Sequence, residues 1–244
     1  MSSNKVDIVW NNMIIEARLL IDSEPILKKF LNVTLLNHDN FQDALVYLLF
    51  KKLNNLDMMT IDLIDILKDI YRTNDIIDAA AQDICTIRLR DPSVQKYLTP
   101  FLYLKGFHAL QAYRITNWLW NHNYPGLAMY LYNRISIIFN VDIHPAAKIG
   151  CGIMLDHATG VVIGETAVID DNVSIMQSVT LGSTGKIDGN RHPKIKKGVL
   201  IGAGSIILGN IEIGCGSKIG AGSIVVHSVP PYSTVVGRPA RLVQ

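Results

Sequence analysis

Cysteine is scarce in this chain of 244 residues. There are three, Cys85, Cys151 and Cys215, and no CxxC pair among them. So odd and scattered a set supports no disulfide framework and points to a reducing compartment. An excess of charge is also missing: the net charge is +2, with basic and acidic residues mixed along the chain. That argues against nucleic-acid binders, which carry a basic patch or run. No segment reaches the roughly 18 uninterrupted apolar residues of a membrane span. The N-terminal stretch MSSNKVDIVWNNMIIEARLL holds acidic side chains and lacks the apolar block of a signal peptide. The expectation is a soluble, cytoplasmic protein with neither a nucleic-acid nor a membrane partner. Apolar residues, by contrast, make up 49% of the chain, enough for a sizeable core in one large domain or two small ones.

Residues 1–140 read as helices. DSEPILKKFL offers a cap at Asp22 or Ser23 and Pro25 in a first turn. HDNFQDALVYLLFKKL and TIDLIDILKDIYR space their apolar residues at three and four, the second with Thr60 as its N-cap. Two or three more helices follow to residue 139, with breaks expected near Pro100 and Pro125. Most Trp and Tyr residues fall in this half, where helix packing explains them.

From Ile143 onward the period changes. Ile143, Ile149 and Leu155 are six apart; so are Ile163, Ile169, Ile175 and Leu181; so are Ile195, Ile201, Ile207, Ile213, Ile219 and Val225. A helix repeats at about 3.6, which cannot produce a step of six, and a strand repeats at 2, which alone does not demand it. This is the hexapeptide repeat of a parallel β-helix, in which each unit forms one side of a triangular coil. The aliphatic residues stack inward as ladders, and each coil buries its faces only against its neighbours. The fold class is α+β: an all-α N-terminal domain, 1–140, then a left-handed parallel β-helix, 141–244.

The phase slips twice. Leu155 to Ile163 is a step of eight, and Leu181 to Ile195 is a step of fourteen, read as two beyond a pair of hexads. The first slip carries Asp156 and His157. The second spans GSTGKIDGNRHPK, a polar loop. A solenoid carries function where its step is interrupted.

The motifs VDIHPAAKIG, LDHATGVVIGETAVI, SVTLGSTGK and RHPKI, behind RLRDPSVQKYLTPFLYLKGFHALQAYRI, resemble the serine O-acetyltransferase family over nearly the whole chain. The resemblance implies acetyl-CoA as donor and co-substrate, with no metal, and L-serine as acceptor. Products would be O-acetyl-L-serine and CoA, the first step of cysteine synthesis from serine. It also implies a homotrimer through the β-helix, paired into a dimer of trimers through the helical domains, with the site between adjacent subunits. L-cysteine is a possible feedback inhibitor at the serine site. Family members often continue into a tail ending in isoleucine that enters O-acetylserine sulfhydrylase; here VVGRPARLVQ ends the chain, and that complex is not expected.

The serine hydroxyl is a weak nucleophile at neutral pH, so a base must take its proton. Histidine suits this, with a pKa near 6.5. By resemblance the base is His157, and Asp142 is the carboxylate that fixes its tautomer. Serine is a zwitterion. Asp91 and Asp156 match residues that recognise the amino acid, Arg191 suits its carboxylate through a bidentate contact, and His192 matches a residue near the hydroxyl or developing oxyanion. CoA contacts are carried over to Ala203 and Ala221, where small residues allow close approach; Lys218 suits a CoA phosphate, and GSTGK, through Lys186, would flank the thiol end, with Ser183 standing where the family often has Gly. That stretch is no P-loop, since the GxxxxGK[ST] spacing is absent.

Bland readings stand beside these. Asp156 could satisfy a widened corner, Asp91 could cap a helix before Pro92, Asp142 could serve a turn, and His144 reads as structural. Other functions also remain open: a hexapeptide-repeat acetyltransferase for another acceptor, or a non-catalytic scaffold of the same fold. A zinc lyase would need three converging histidines, and His144, His157 and His192 have no zinc-site spacing.

Overall fold

The computed structural model describes residues 3–54, 60–72, 74–185 and 188–242. Eight α-helices come first: α1 (Ser3–Ser23), α2 (Lys28–Leu31), α3 (Phe41–Leu53), α4 (Thr60–Tyr71), α5 (Asn74–Arg90), α6 (Leu98–Tyr103), α7 (Lys105–Asn121) and α8 (Pro125–Phe139). Asn40 caps α3, its side-chain oxygen accepting the Asp43 N–H at 2.9 Å, a contact of about 1 kcal/mol. Pro25 opens a 3₁₀ turn as expected of a first-turn proline, but no side chain caps that turn. Ser23 ends α1 instead, its hydroxyl donating to Leu20 O. Pro100 lies inside α6, and the break falls at the extended Leu104. The Thr60 side chain and Lys186 lie outside the described residues. Among those residues no helix is long and apolar enough to cross a membrane.

Asn140 closes α8 in the left-handed conformation, φ 54, which asparagine tolerates better than most residues. The first strand follows at once, at Val141. From here the coil has three faces of five, four and six strands. The six-spaced aliphatics are its ladders. Ile143, Ile163, Leu181, Ile207 and Val225 stack on one face; Ile149, Ile169, Ile195 and Ile213 on the second; Leu155, Ile175, Ile201, Ile219 and Val235 on the third. Every strand pair is parallel except the last, where Ala240–Leu242 folds back on Thr234–Gly237. The register corrects one expectation. Leu181 and Ile195 sit on adjacent faces, so the fourteen-residue step is a single side carrying an eight-residue loop, not a pair of hexads with two extra residues.

Helices and coil share one core, and a buried polar seam joins them. Asp83 on α5 is fully buried. It accepts from Arg114 Nη2 at 2.7 Å and Gln111 Nε2 at 2.9 Å, both on α7, and from the Ile153 N–H of the first coil at 2.8 Å. Arg114 also donates to Gly150 O. Burial disfavours the Arg114 cation, but the Asp83 carboxylate more than offsets this and holds its pKa above the ordinary arginine value. At the end of α5, Arg90 donates to Ser174 Oγ and Asn172 O of the second coil. At the start of α7, Gly106 meets the coil so closely that an added Cβ would lie 2.0 Å from Leu155 O.

His108 on α7 is buried, donating to Phe101 O at 2.7 Å, and burial pushes its pKa down to about 4. The folded chain therefore refuses a proton that the unfolded chain takes up near 6.5. Stability is full above about pH 6.5 and falls as pH drops from there towards 4. Urea midpoints measured between pH 7 and 5 should decline in the wild type, and the decline should be shallower in His108→Gln.

Candidate active site

The two extra residues of the first slip form an outward corner. His157 and Ala158 both take positive φ, 54° and 60°. Such conformations cost a non-glycine residue about 1–3 kcal/mol and persist only where the surroundings over-determine them. Here the Gly160 N–H donates to Asn140 O, and the Ser178 N–H of the next coil donates to Thr159 O, each at 2.8 Å. The left-handed turn swings the His157 ring off the ladder: its side chain is 74% exposed, while Leu155, just before the corner, is buried.

That corner forms one wall of a cavity of about 290 Å³. Asp91, Ser93, Tyr103, Lys105, Asp156 and His157 line it. Asp91 follows α5 rather than preceding a helix, so the capping reading fails; its Oδ1 accepts from the Ser93 N–H and hydroxyl. His157 Nε2 stands 3.8 Å from Asp156 Oδ1. One imidazole and two carboxylates thus share a cleft between helices and coil.

Arg191 and His192 belong to a second cluster, where the long loop rejoins the coil. Arg191 Nη2 pairs with Glu165 Oε2 at 2.5 Å. His192 Nδ1 accepts from the Thr166 N–H at 3.2 Å and contacts the Thr166 hydroxyl at 2.9 Å. An accepting Nδ1 leaves the proton on Nε2, so the neutral ring offers a donor. Burial first, and the Arg191 cation second, hold its pKa below the ordinary value. Gly164 makes room for this ring: an added Cβ would lie 2.1 Å from His192 Nε2.

Asp142, on the first strand, pairs with neither cluster directly. The Tyr132 hydroxyl on α8 donates to its Oδ1 at 2.5 Å. Among the described residues, the carboxylate within ion-pair distance of His157 is that of Asp156. His144 accepts the Ala146 N–H at Nδ1 and sets its ring edge-on to Trp120.

Ala203 and Ala221 occupy one corner column in successive coils, the Gly222 N–H donating to Ala203 O at 2.7 Å. Lys218 projects exposed from the face leading into that corner, paired in register with Leu200 and Thr234. Ser183 follows the strand on the face leading out of it, its hydroxyl near the Gly185 N–H at 3.4 Å. The four residues therefore lie on adjoining parts of the coil.

Sequence reading missed Glu165, Thr166, Gly164, Tyr132 and Lys105. Glu165 and Thr166 lie in the quoted motif VVIGET directly after the slip, but their partners are about 26 residues further on, and nothing local announces them. The His192 geometry is testable. At pH 6.5, nitrogen NMR should show His192 as the neutral Nε2–H tautomer. Gly164→Ala should displace the ring and move its titration up towards the ordinary value.

Comparison with known proteins completes the picture. A family model described as serine acetyltransferase, N-terminal, matches residues 9–112. The serine acetyltransferase of Escherichia coli strain K12 is 58% identical over 244 residues, all of this chain and 89% of that protein. A solved serine acetyltransferase in complex with CoA superposes with a TM-score of 0.93 at 55% identity, covering 98% of this chain and 100% of that one. Another, in complex with cysteine, gives 0.94 at 56% identity, covering 97% and 98%. With that identity along its whole length, the same coil behind the same helices, the chain belongs to the serine acetyltransferase family.

Proposed function

We propose that the chain transfers the acetyl group of acetyl-CoA to the hydroxyl of L-serine, giving O-acetyl-L-serine and CoA. The observation that supports this most is the outward His157 corner sharing a cleft with Asp91 and Asp156. His157 takes the hydroxyl proton as oxygen attacks the thioester carbon. The new C–O bond forms, the C–S bond breaks, and the proton passes to the departing thiolate. A positioned base contributes roughly 10²–10⁴-fold. Asp91 and Asp156 receive the substrate ammonium, and Arg191 receives its carboxylate. His192 Nε2–H donates to the oxygen on which negative charge develops. Ser183, Ala203, Lys218 and Ala221 are the CoA contacts in this reading.

In one chain the ammonium half of this site (Asp91, Asp156, His157) and the carboxylate half (Arg191, His192) stand in separate clusters. A homotrimer packed coil against coil joins the first half of one subunit to the second half of its neighbour. The same packing supplies His157 with the carboxylate of Asp142, which in the single chain is held by Tyr132. The exposed stripe Ile8, Ile15 and Leu19 on α1, 43%, 56% and 61% accessible, suits pairing of trimers through helical domains 1–140, with 141–244 as the acetyltransferase domain. L-cysteine, which has serine's ammonium and carboxylate, competes for the same groups.

The test is release of thiol from acetyl-CoA with and without L-serine. Release should require serine and fall about 100-fold or more in His157→Ala. Asp91→Asn and Arg191→Gln should raise KM for serine about tenfold or more and leave KM for acetyl-CoA near its wild-type value, because each removes a charged contact to the amino acid alone. Serine-independent release would reject the acceptor.

A further inference from the structure

The cleft also holds a cationic side chain with no part in the reaction described above. Lys105, the first residue of α7, lines the cavity beside Asp91, Asp156 and His157. Its ammonium does not pair with either carboxylate; it donates to the Thr159 hydroxyl. Thr159 belongs to the corner whose two preceding residues are left-handed. Three contacts thus fix this corner from three directions: the end of α8 through Asn140, the next coil through Ser178, and α7 through Lys105. The first two are main-chain bonds that the coil supplies in any case. The third is a side chain reaching across 54 residues of sequence. Gly106, next to Lys105, brings α7 into contact with Leu155 O, so the lysine starts from a backbone pressed against the strand that leads into the corner.

We propose that Lys105 is a positioning residue for the base: by holding Thr159 it fixes the strained corner in the orientation that presents His157 to the substrate hydroxyl. Parking the ammonium on Thr159 also keeps it off Asp91 and Asp156, which stay open for the substrate ammonium. Placement of a reacting group is steeply coupled to rate, a misplacement near 1 Å costing up to about 10²-fold. The effect therefore falls on turnover rather than on binding. The inference rests on the reading of His157 as the base.

The experiment is steady-state kinetics of serine-dependent thiol release on the assembled full chain, for Lys105→Met, Thr159→Val, their double variant, Lys105→Arg, and Lys105→Met combined with His157→Ala. Lys105→Met and Thr159→Val should each lower kcat about tenfold, with both KM values within roughly twofold of wild type. The double variant should be no slower than the slower single one, since both remove one contact. Lys105→Arg should recover part of the loss, and Lys105→Met should cost nothing further once His157 is gone. A raised KM for serine or acetyl-CoA with kcat retained would make Lys105 a binding contact and overturn the proposal; additive losses in the double variant, or wild-type kcat in Lys105→Met, would do the same. If His157→Ala itself keeps full activity, the base assignment falls, and the inference falls with it. If His157→Ala is inactive and Lys105→Met is not impaired, the inference alone falls.

Discussion

One buried carboxylate determines how the two halves of this protein meet. Asp83 leaves water entirely and is met by an arginine, a glutamine and a main-chain N–H drawn from α7 and the first coil; they offset only part of its burial, which holds the carboxyl pKa above the ordinary value. Burying such an ion is costly, and removal of one partner from a buried pair typically costs 3–5 kcal/mol because the other is left uncompensated. The three partners converge only when α5, α7 and the first coil are in register. Asp91, just past the end of α5, and Lys105, at the start of α7, are then carried to the corner that bears His157. The cleft is a consequence of that seam: helices supply one wall and the solenoid supplies the other.

The solenoid contributes a second constraint, its fixed step. Each ladder position is followed by the next coil's equivalent on the same face, so the inward side chain of an ordinary hexad has no freedom to leave its column. Extra residues are accommodated only at corners or in loops. Two of them give the left-handed His157 corner. Eight give the loop that ends in Arg191 and His192 and lays the His192 ring over Gly164. In the proposed reading Asp156, His157, Arg191 and His192 act at these two interruptions while the ladders stay intact.

The fold was legible because its main signal is local and repeated. Six-residue spacing of Ile and Leu survives any uncertainty at a single position, and the ladders follow from it one by one. His157 was legible for the complementary reason, as a polar residue where the spacing fails. The fourteen-residue step was misjudged because length alone does not separate two sides plus two residues from one side plus eight; only the pairing of Ile169 with Ile195 decides it. Asp83, Glu165 and Lys105 were silent because each acts through a partner about 26 to 70 residues away. Asp142 shows the limit from the other side: its residue type and motif single it out, yet within the chain it meets Tyr132 and not His157.

The central claim is that a working site is completed between copies of the chain, since the groups proposed for the ammonium and the carboxylate of serine lie apart in each one. Subunit mixing tests it most directly. His157→Ala and His192→Ala chains, each expected to lose activity about 100-fold or more alone, would be unfolded together in equal amounts, refolded and assayed for serine-dependent thiol release. If neighbours in a ring supply the two halves, random assembly restores about a quarter of the wild-type sites, and activity should rise to about that fraction. If the mixture stays as inactive as its components, the two halves work within one chain and the account is wrong.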